Sequence, residues 1–363
     1  FFFYPPTRPP PLLSGLVGSE MCIRDRRVDR AAAQATISGA DTLPALSLQA
    51  DGAKSQRNFI GFPIPGMDGI PRNRFSNYGA ALNLSWELDI WGRLRSAKTA
   101  SLADQEAALA DLHGARLSLV GQTCKAWFAA LEATRQEELA AATVENYQAS
   151  EKQVRERYER GLRSPLDLRL ARANLATAED NLESTRIRKD GALRQLEILL
   201  GRYPAAALEA ATALPQIPGE VPAGLPSELL SRRPDMLSLE RRLAGQRARL
   251  RQAKVSLLPR ISLSSSTGTS TNELRDIVNQ DFSVWSLAAN LLQPIFQGGR
   301  LLAGIDLADA NLREALETYA KGALRAFAEV ETTLALENFL ARREAALSRA
   351  VEQSQSARDL AED

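Results

Sequence analysis

Between Leu94 and Tyr158 the chain contains no proline. A continuous helix over that stretch would be about 97 Å long at 1.5 Å per residue, far beyond an ordinary globular helix. Leu117, Val120, Cys124, Trp127 and Leu131 recur along it at steps of three and four, the spacing of a coiled-coil seam. Leu312, Leu316, Tyr319 and Ala323 repeat the pattern in the second half of the chain. Alanine is abundant over 103–115, 129–142 and 170–178, which permits close helix approach. Gly161 suits a left-handed helix end, and Ser164-Pro165 suits the cap and first turn of the next helix. That second helix runs toward Leu200 and is closed by Leu-Gly-Arg-Tyr-Pro. Rods of this length, each growing from a strand, need a partner along their length.

An internal repeat organises the rest. Residues 78–109 lie over 285–316 at one constant offset, with matches at Asn83/Asn290, Leu84/Leu291, Gly92/Gly299, Arg93/Arg300, Leu94/Leu301 and Leu109/Leu316. Upstream, 42–52 resembles 257–268, so each half reads strand, loop, strand, Gly-Arg-Leu, long helix. The strands have period two. Tyr78, Ala80, Leu82, Leu84, Trp86 and Leu88 share one face, while Gly79, Ala81, Asn83, Ser85, Glu87 and Asp89 share the other. Trp285, Leu287, Ala289 and Leu291 alternate likewise with Ser286, Ala288 and Asn290. Leu46 and Leu48, and Ile261 and Leu263, continue the pattern in the other two strands. One apolar and one small, polar face suits a soluble sheet with one wet side or a membrane barrel with a wet lumen. The alternation by itself does not choose between them.

Several chemistries have no support in the residues. The 45 basic and 44 acidic side chains nearly balance, so net charge suggests no nucleic-acid partner. His113 is the single histidine and reads as a helix-surface residue. Cys124 reads as a small packing residue in the helical seam. No segment offers about 20 consecutive apolar residues for a spanning helix. Gly298-Gly299-Arg300 lacks a phosphate-loop pattern and suits a strand-to-helix turn instead. Pro294 should end the strand before it. Pro234 and Asp235 suit a first helical turn, and Arg232, Arg233, Arg241 and Arg242 read as structural rather than as a ligand site. With no nucleophile, metal constellation or nucleotide loop, neither an enzyme nor a cofactor is expected.

Taken together, Ser85-Trp-Glu-Leu-Asp-Ile-Trp-Gly-Arg-Leu-Arg-Ser-Ala97, residues 161–168 (GLRSPLDL), 224–243 (GLPSELLSRRPDMLSLERRL), 257–268 (LLPRISLSSSTG) and 291–301 (LLQPIFQGGRL) resemble one family in its own order. It is the outer-membrane factor family, TolC/OprM-like exit channels of tripartite efflux pumps, in the branch of efflux outer-membrane lipoproteins. The resemblance implies a mainly α fold with a small β part. Long helical hairpins build a periplasmic α-barrel, and four strands per chain enter a transmembrane β-barrel shared by a homotrimer. It implies a periplasmic adaptor and an inner-membrane pump as partners, and outer-membrane lipid around the barrel. Gly161, Leu162, Ser164 and Leu166 would form the adaptor-docking tip. Trp91, Gly92, Arg93, Pro294, Gly298, Gly299 and Arg300 would make the strand-to-helix junctions. Asn83, Ser85, Glu87 and Asn290 would face the lumen, and Tyr78, Leu82, Leu84, Trp86, Trp285 and Leu287 would face lipid. Stretches 51–77 and 269–283 would be outer loops. The independent reading agrees, because four strands cannot close a barrel whose smallest examples have about eight.

The domain reading follows: 27–205 as a first repeat, 206–233 as a linker, and 234–363 as a second repeat that stops before its last helix. By the repeat offset, the Gly161 turn would recur just beyond Asp363. Residues 16–26, LVGSEMCIRDR, resemble the translation of a transposon-end adaptor used in preparing sequencing libraries. Residues 1–26 are therefore expected to be non-native, leaving Cys22 without functional meaning and the question of a lipid anchor open. The leading expectation is a passive duct for small molecules and drugs in the bacterial outer membrane, with a periplasmic extension. The alternatives are the duct of a type I protein-secretion system and a soluble coiled-coil scaffold. The chain as written is expected not to assemble a sealed tunnel.

Overall fold

A computed structural model describes residues 16–58, 72–209, 214–215 and 232–362. In chain order the elements are α1 (Leu16–Ala40), β1 (Ala45–Asn58), β2 (Arg72–Leu88), α2 (Arg93–Glu159), α3 (Pro165–Leu199), α4 (Pro234–Val255), β3 (Arg260–Thr271), β4 (Ser283–Leu292) and α5 (Arg300–Glu362). Two 3-10 turns, Leu274–Asp276 and Gln280–Phe282, lie between β3 and β4. The proline-free stretch is a single helix of 67 residues, as its length and composition require.

The described residues fall into two compact units, one containing Leu109–Leu229 and the other Asp29–Ala108 and Leu230–Asp363. In the first, the later part of α2 pairs with α3. Ala130, Leu193 and Leu196 are buried there, with Trp127, Ala126 and Ala192 packed against them. Small side chains let the two helices close, and ion pairs flank the contact: Glu137 with Lys189 at 2.7 Å and Glu151 with Arg172 at 3.1 Å. In the second unit the start of α2 presents Ala100, Ala103 and Ala107, all buried. The Ser38 and Ser101 hydroxyls meet at 2.8 Å. Arg249 bonds Asp104, and Arg241 pairs with Glu106 at 3.3 Å, so α4 is fastened to α2.

The four strands form one antiparallel sheet in the order β1-β2-β3-β4. Its register pairs Leu46 with Leu84, Ser85 with Ser264, and Ser264 with Ala288. Gly268 sits where β3 passes closest to β2; a Cβ there would collide with the Ala80 carbonyl, so the position requires glycine.

Three expectations need correction. Much of 51–77 is strand rather than loop: β1 runs to Asn58 and β2 starts at Arg72, with ladder pairing continuing to Asn58↔Arg72. Backbone pairing persists there although apolar alternation stops. Residues 59–71 of that stretch lie outside the described residues. Within 269–283, Thr269, Ser270 and Thr271 belong to β3, Ser283 begins β4, and only the middle is loop. Cys124 is exposed rather than packed, as are Leu117 at 65% and Val120 at 61%. Among the described residues, no element covers this part of the seam. His113 is exposed, as expected. Residues 224–231 and most of the 206–233 linker lie outside the described residues.

Candidate functional site

The sheet sorts its side chains as the alternation requires. Across the strands, Leu48, Leu82, Thr267 and Trp285 are in register, as are Leu46, Leu84, Ser265 and Leu287. One residue along, Ser47, Asn83, Ser266 and Ser286 line up on the opposite face, as do Glu87, Ser262 and Asn290. Asn83, Ser85, Glu87 and Asn290 therefore share one face, built largely of small polar residues. Tyr78, Leu82, Leu84, Trp86, Trp285 and Leu287 share the other. The Tyr78 ring covers Gly52 on the neighbouring strand, a packing that shields a strand glycine. The Trp86 indole N–H donates to the Thr42 carbonyl at 3.2 Å.

Among the described residues, β1 and β4 are the outer strands of the ladder. On β4, Trp285 is 79% exposed and Leu287 69%, and on β1 Leu48 is 77% exposed. An open edge carrying large apolar side chains is a template for another strand.

The strand-to-helix junctions are held by hydrogen bonds converging on the turn before β3. Trp91 donates its indole N–H to the Pro259 carbonyl at 2.9 Å, and Gln293 donates its amide to the Leu257 carbonyl at 3.1 Å. Gly92, Gly298 and Gly299 all have positive φ, the left-handed geometry that reverses the chain into a helix. Arg93 grips Glu87 through two hydrogen bonds, at 3.0 and 2.8 Å, so this acidic side chain of the polar face is already paired. Arg300 bonds Gln297 at 2.7 Å, and β4 stops two residues before Pro294, as proline's missing donor demands.

Sequence reasoning missed Asp89. Its carboxylate accepts the N–H groups of Leu94 and Arg95 at 2.9 and 2.8 Å, closing the exposed N-terminal donors of α2. Burial acts to raise the Asp89 carboxyl, but those two backbone donors and the Arg95 guanidinium outweigh it and hold the group below its ordinary value. Its position outside the usual capping spacing hid it. The second junction has Phe296 at the equivalent place, 88% exposed.

At the α2–α3 turn, Gly161 has φ +71° and Leu162 N–H reaches back to the Arg157 carbonyl at 2.8 Å. Ser164 and Asp167 exchange hydrogen bonds in a capping box with Pro165 in the first turn. Leu162 and Leu166 stand 70% and 67% exposed on this tip. Of the arginines weighed as a ligand site, Arg233 bonds Asp235 at 2.8 Å and Glu329 at 2.7 Å, while Arg241 pairs with Glu106. These are bonds within the fold.

A short antiparallel sheet with two open edges, continuing directly into helices of more than sixty residues, defines a channel-type protomer rather than a self-contained globule. A sequence model of the outer membrane efflux protein family matches residues 25–202 and 225–363. The chain belongs to that family. It is 33% identical over 343 residues to the pyoverdine export outer membrane protein OpmQ of Pseudomonas putida, covering 93% of this chain and 71% of that one. It is 32% identical to outer membrane protein OprJ of Pseudomonas aeruginosa, covering 92% and 69%. A solved membrane protein from Pseudomonas aeruginosa superposes with a TM-score of 0.87 at 31% identity, covering 94% of this chain and 78% of that one. The CmeC outer membrane channel of Campylobacter jejuni superposes at 0.79 with 25% identity, covering 86% and 66%. The protein is thus an outer-membrane efflux channel component with a periplasmic extension. No helix among the described residues is long and apolar enough to cross a membrane, which leaves the sheet as the candidate for the bilayer.

Proposed function

We propose that three copies join their sheet edges, β1 of one to β4 of the next, into a single transmembrane barrel that serves as a passive exit duct for small molecules and drugs. The observation that carries this reading is the pair of open edges: unpaired backbone groups in lipid cost several kcal/mol each, about, so an open sheet is excluded from a bilayer. Joined edges satisfy every ladder group and place the exposed β1 and β4 residues against neighbours. The face with Tyr78, Leu82, Leu84, Trp86, Trp285 and Leu287 meets lipid. The face with Asn83, Ser85, Glu87 and Asn290 lines the lumen. From Leu88 to Tyr78 the apolar face extends ten residues, about 34 Å along the strand and about 26 Å through a tilt of roughly 40°. That suits the apolar band of an outer-membrane barrel, about 25 Å tall.

The same reading assigns the uncovered apolar positions of the long helices, Leu117, Val120 and Leu316 among them, to contacts between copies around a periplasmic tunnel. The tip at Gly161, Leu162, Ser164 and Leu166 docks the periplasmic adaptor, through which an inner-membrane pump supplies the energy. The two halves, 27–205 and 234–363, act as structural repeats joined by 206–233. The chain performs no catalysis in this role. The export role named for OpmQ supports efflux as the task of this chain.

Fractionation of the protein expressed from its genomic reading frame tests the proposal. Recovery in the outer membrane as a cross-linkable three-copy species, with greater drug susceptibility after gene deletion, is the expected result. Recovery as a soluble monomer would eliminate the duct. Unchanged susceptibility with loss of a secreted protein would convert the cargo from small molecules to protein.

A further inference from the structure

The parts of β1 and β2 that reach past Tyr78 have a composition unlike the rest of the sheet. Residues 52–58 and 72–78 contain Lys54, Arg57, Arg72 and Arg74 and no aspartate or glutamate. Register separates these cations by face. Tyr78 pairs with Gly52, Ser76 with Lys54, Arg74 with Gln56, and Arg72 with Asn58, so Lys54, Arg72 and Arg74 continue the face of Leu84, Leu82 and Tyr78. Arg57 pairs with Asn73 on the opposite face, where its guanidinium lies 5.4 Å from the centre of the Phe75 ring. Along one side of the hairpin the order is therefore leucine, leucine, alanine, tyrosine, then three cations. All three are exposed. Arg74 is steadied by its Nε–H donating to the Gln56 side-chain oxygen at 2.7 Å, which aims the guanidinium across the strand pair. Arg72 and Arg74 are about 7 Å apart along β2, and Lys54, opposite Ser76, is diagonal to Arg74 at about 8 Å, so the three charges follow one another in a short row on one face.

Where an apolar band gives way to an aromatic residue and then to clustered cations, the chemistry matches the boundary between acyl chains and anionic headgroups. Tyr78 marks the outer of the two interfaces, because the strands at the other end of the band enter the helices. We propose that Lys54, Arg72 and Arg74 form a phosphate-binding rim on the outside of the barrel, which holds the phosphorylated glycolipid of the outer leaflet, lipopolysaccharide. Arginine suits this task through its planar, multi-donor head, and a lysine beside it adds a mobile point charge. The inference rests on the assignment of the apolar face to lipid under the proposed function.

The test uses the protein expressed from its genomic reading frame, purified in detergent and titrated with fluorescent lipopolysaccharide, with dephosphorylated lipopolysaccharide as the matched control. The wild-type protein is expected to prefer the phosphorylated form by about tenfold or more, and raised salt should weaken that preference. A combined Lys54→Gln, Arg72→Gln, Arg74→Gln variant should lose the preference, whereas Arg57→Gln, on the other face, should keep it within about twofold. If the triple variant fails to assemble, the single Arg72→Gln and Arg74→Gln variants are read in its place, each with a partial loss expected. Binding by the glutamine variants within twofold of wild type, or equal binding of both lipid forms, overturns the proposal. A spin label on Leu82→Cys, with Cys124 replaced by serine, separates this from failure of the face assignment. Broadening by dissolved oxygen but not by a water-soluble nickel chelate keeps Leu82 in lipid whatever the rim does; the opposite pattern removes the assignment itself.

Discussion

At the scale of single residues, two carboxylates close backbone donors that neither helix nor sheet would satisfy. Asp89 closes the start of α2, and Glu197, buried near the end of α3, accepts the N–H groups of Ala206, Ala207 and Leu208 at 2.7, 2.8 and 3.2 Å. Burial pulls the Glu197 carboxyl upward, but the three donors more than reverse it, and the group lies below its ordinary value of 4.5. A lowered folded pKa means that the clamp contributes fully above the unfolded value and is lost as pH falls through the folded one. Glu197→Gln should therefore melt at a lower temperature than wild type at pH 7, with the gap shrinking below pH 4.5. An equal gap at both pH values would deny the charge a role. Ser164→Ala removes half of the capping box at the tip and should cost about 1 kcal/mol locally. Amide exchange at Asp167 and Leu168 is the readout, faster by about fivefold. The Ser164 cap was legible because serine directly precedes a proline at a helix start, whereas the return bond from Asp167 emerged only in the structure. Glu197 and Asp89 were not, because each reaches a donor that becomes its neighbour only after the chain has turned.

At the scale of elements, the strands were legible where one face is apolar and the other small and polar, and illegible where only backbone pairing holds them. Residues 53–58 and 72–77 carry polar and cationic side chains on both faces, so no periodicity announces the strand. The glycines of the junctions were legible in their turn-forming role, and positive φ at Gly92, Gly298 and Gly299 agrees. The convergence of Trp91 and Gln293 on the Leu257–Pro259 turn was not, since those partners are remote in sequence. Trp91→Phe keeps most of the apolar area but leaves the Pro259 carbonyl without its donor. The expected cost is about 1 kcal/mol, discounted for the half-exposed indole, and is seen as an earlier loss of near-ultraviolet circular dichroism in urea. Asp89→Ala should cost about 1–2 kcal/mol by uncapping α2. Its effect should appear as faster amide exchange at Leu94 and Arg95, the two donors that the carboxylate holds.

At the scale of the whole molecule, the described residues leave the sheet edges, part of the helical seam and the apolar sheet face uncovered, which the proposed joining of copies accounts for. The seam positions Leu117, Val120 and Cys124 carry a coiled-coil period yet stand exposed in the single chain. Periodicity reports that a face is to be covered and is silent on whether the cover comes from the same chain. That is the limit of what this sequence discloses about assembly. The central claim, that joined edges enclose a water-filled pore with Asn83 inside and Leu84 outside, is tested most directly by thiol modification during single-channel recording. In a cysteine-free background, Asn83→Cys should be blocked by a bulky water-soluble reagent in three successive steps, while Leu84→Cys conducts unchanged. Block at position 84 with none at 83, or no conductance from either assembled variant, would contradict the account.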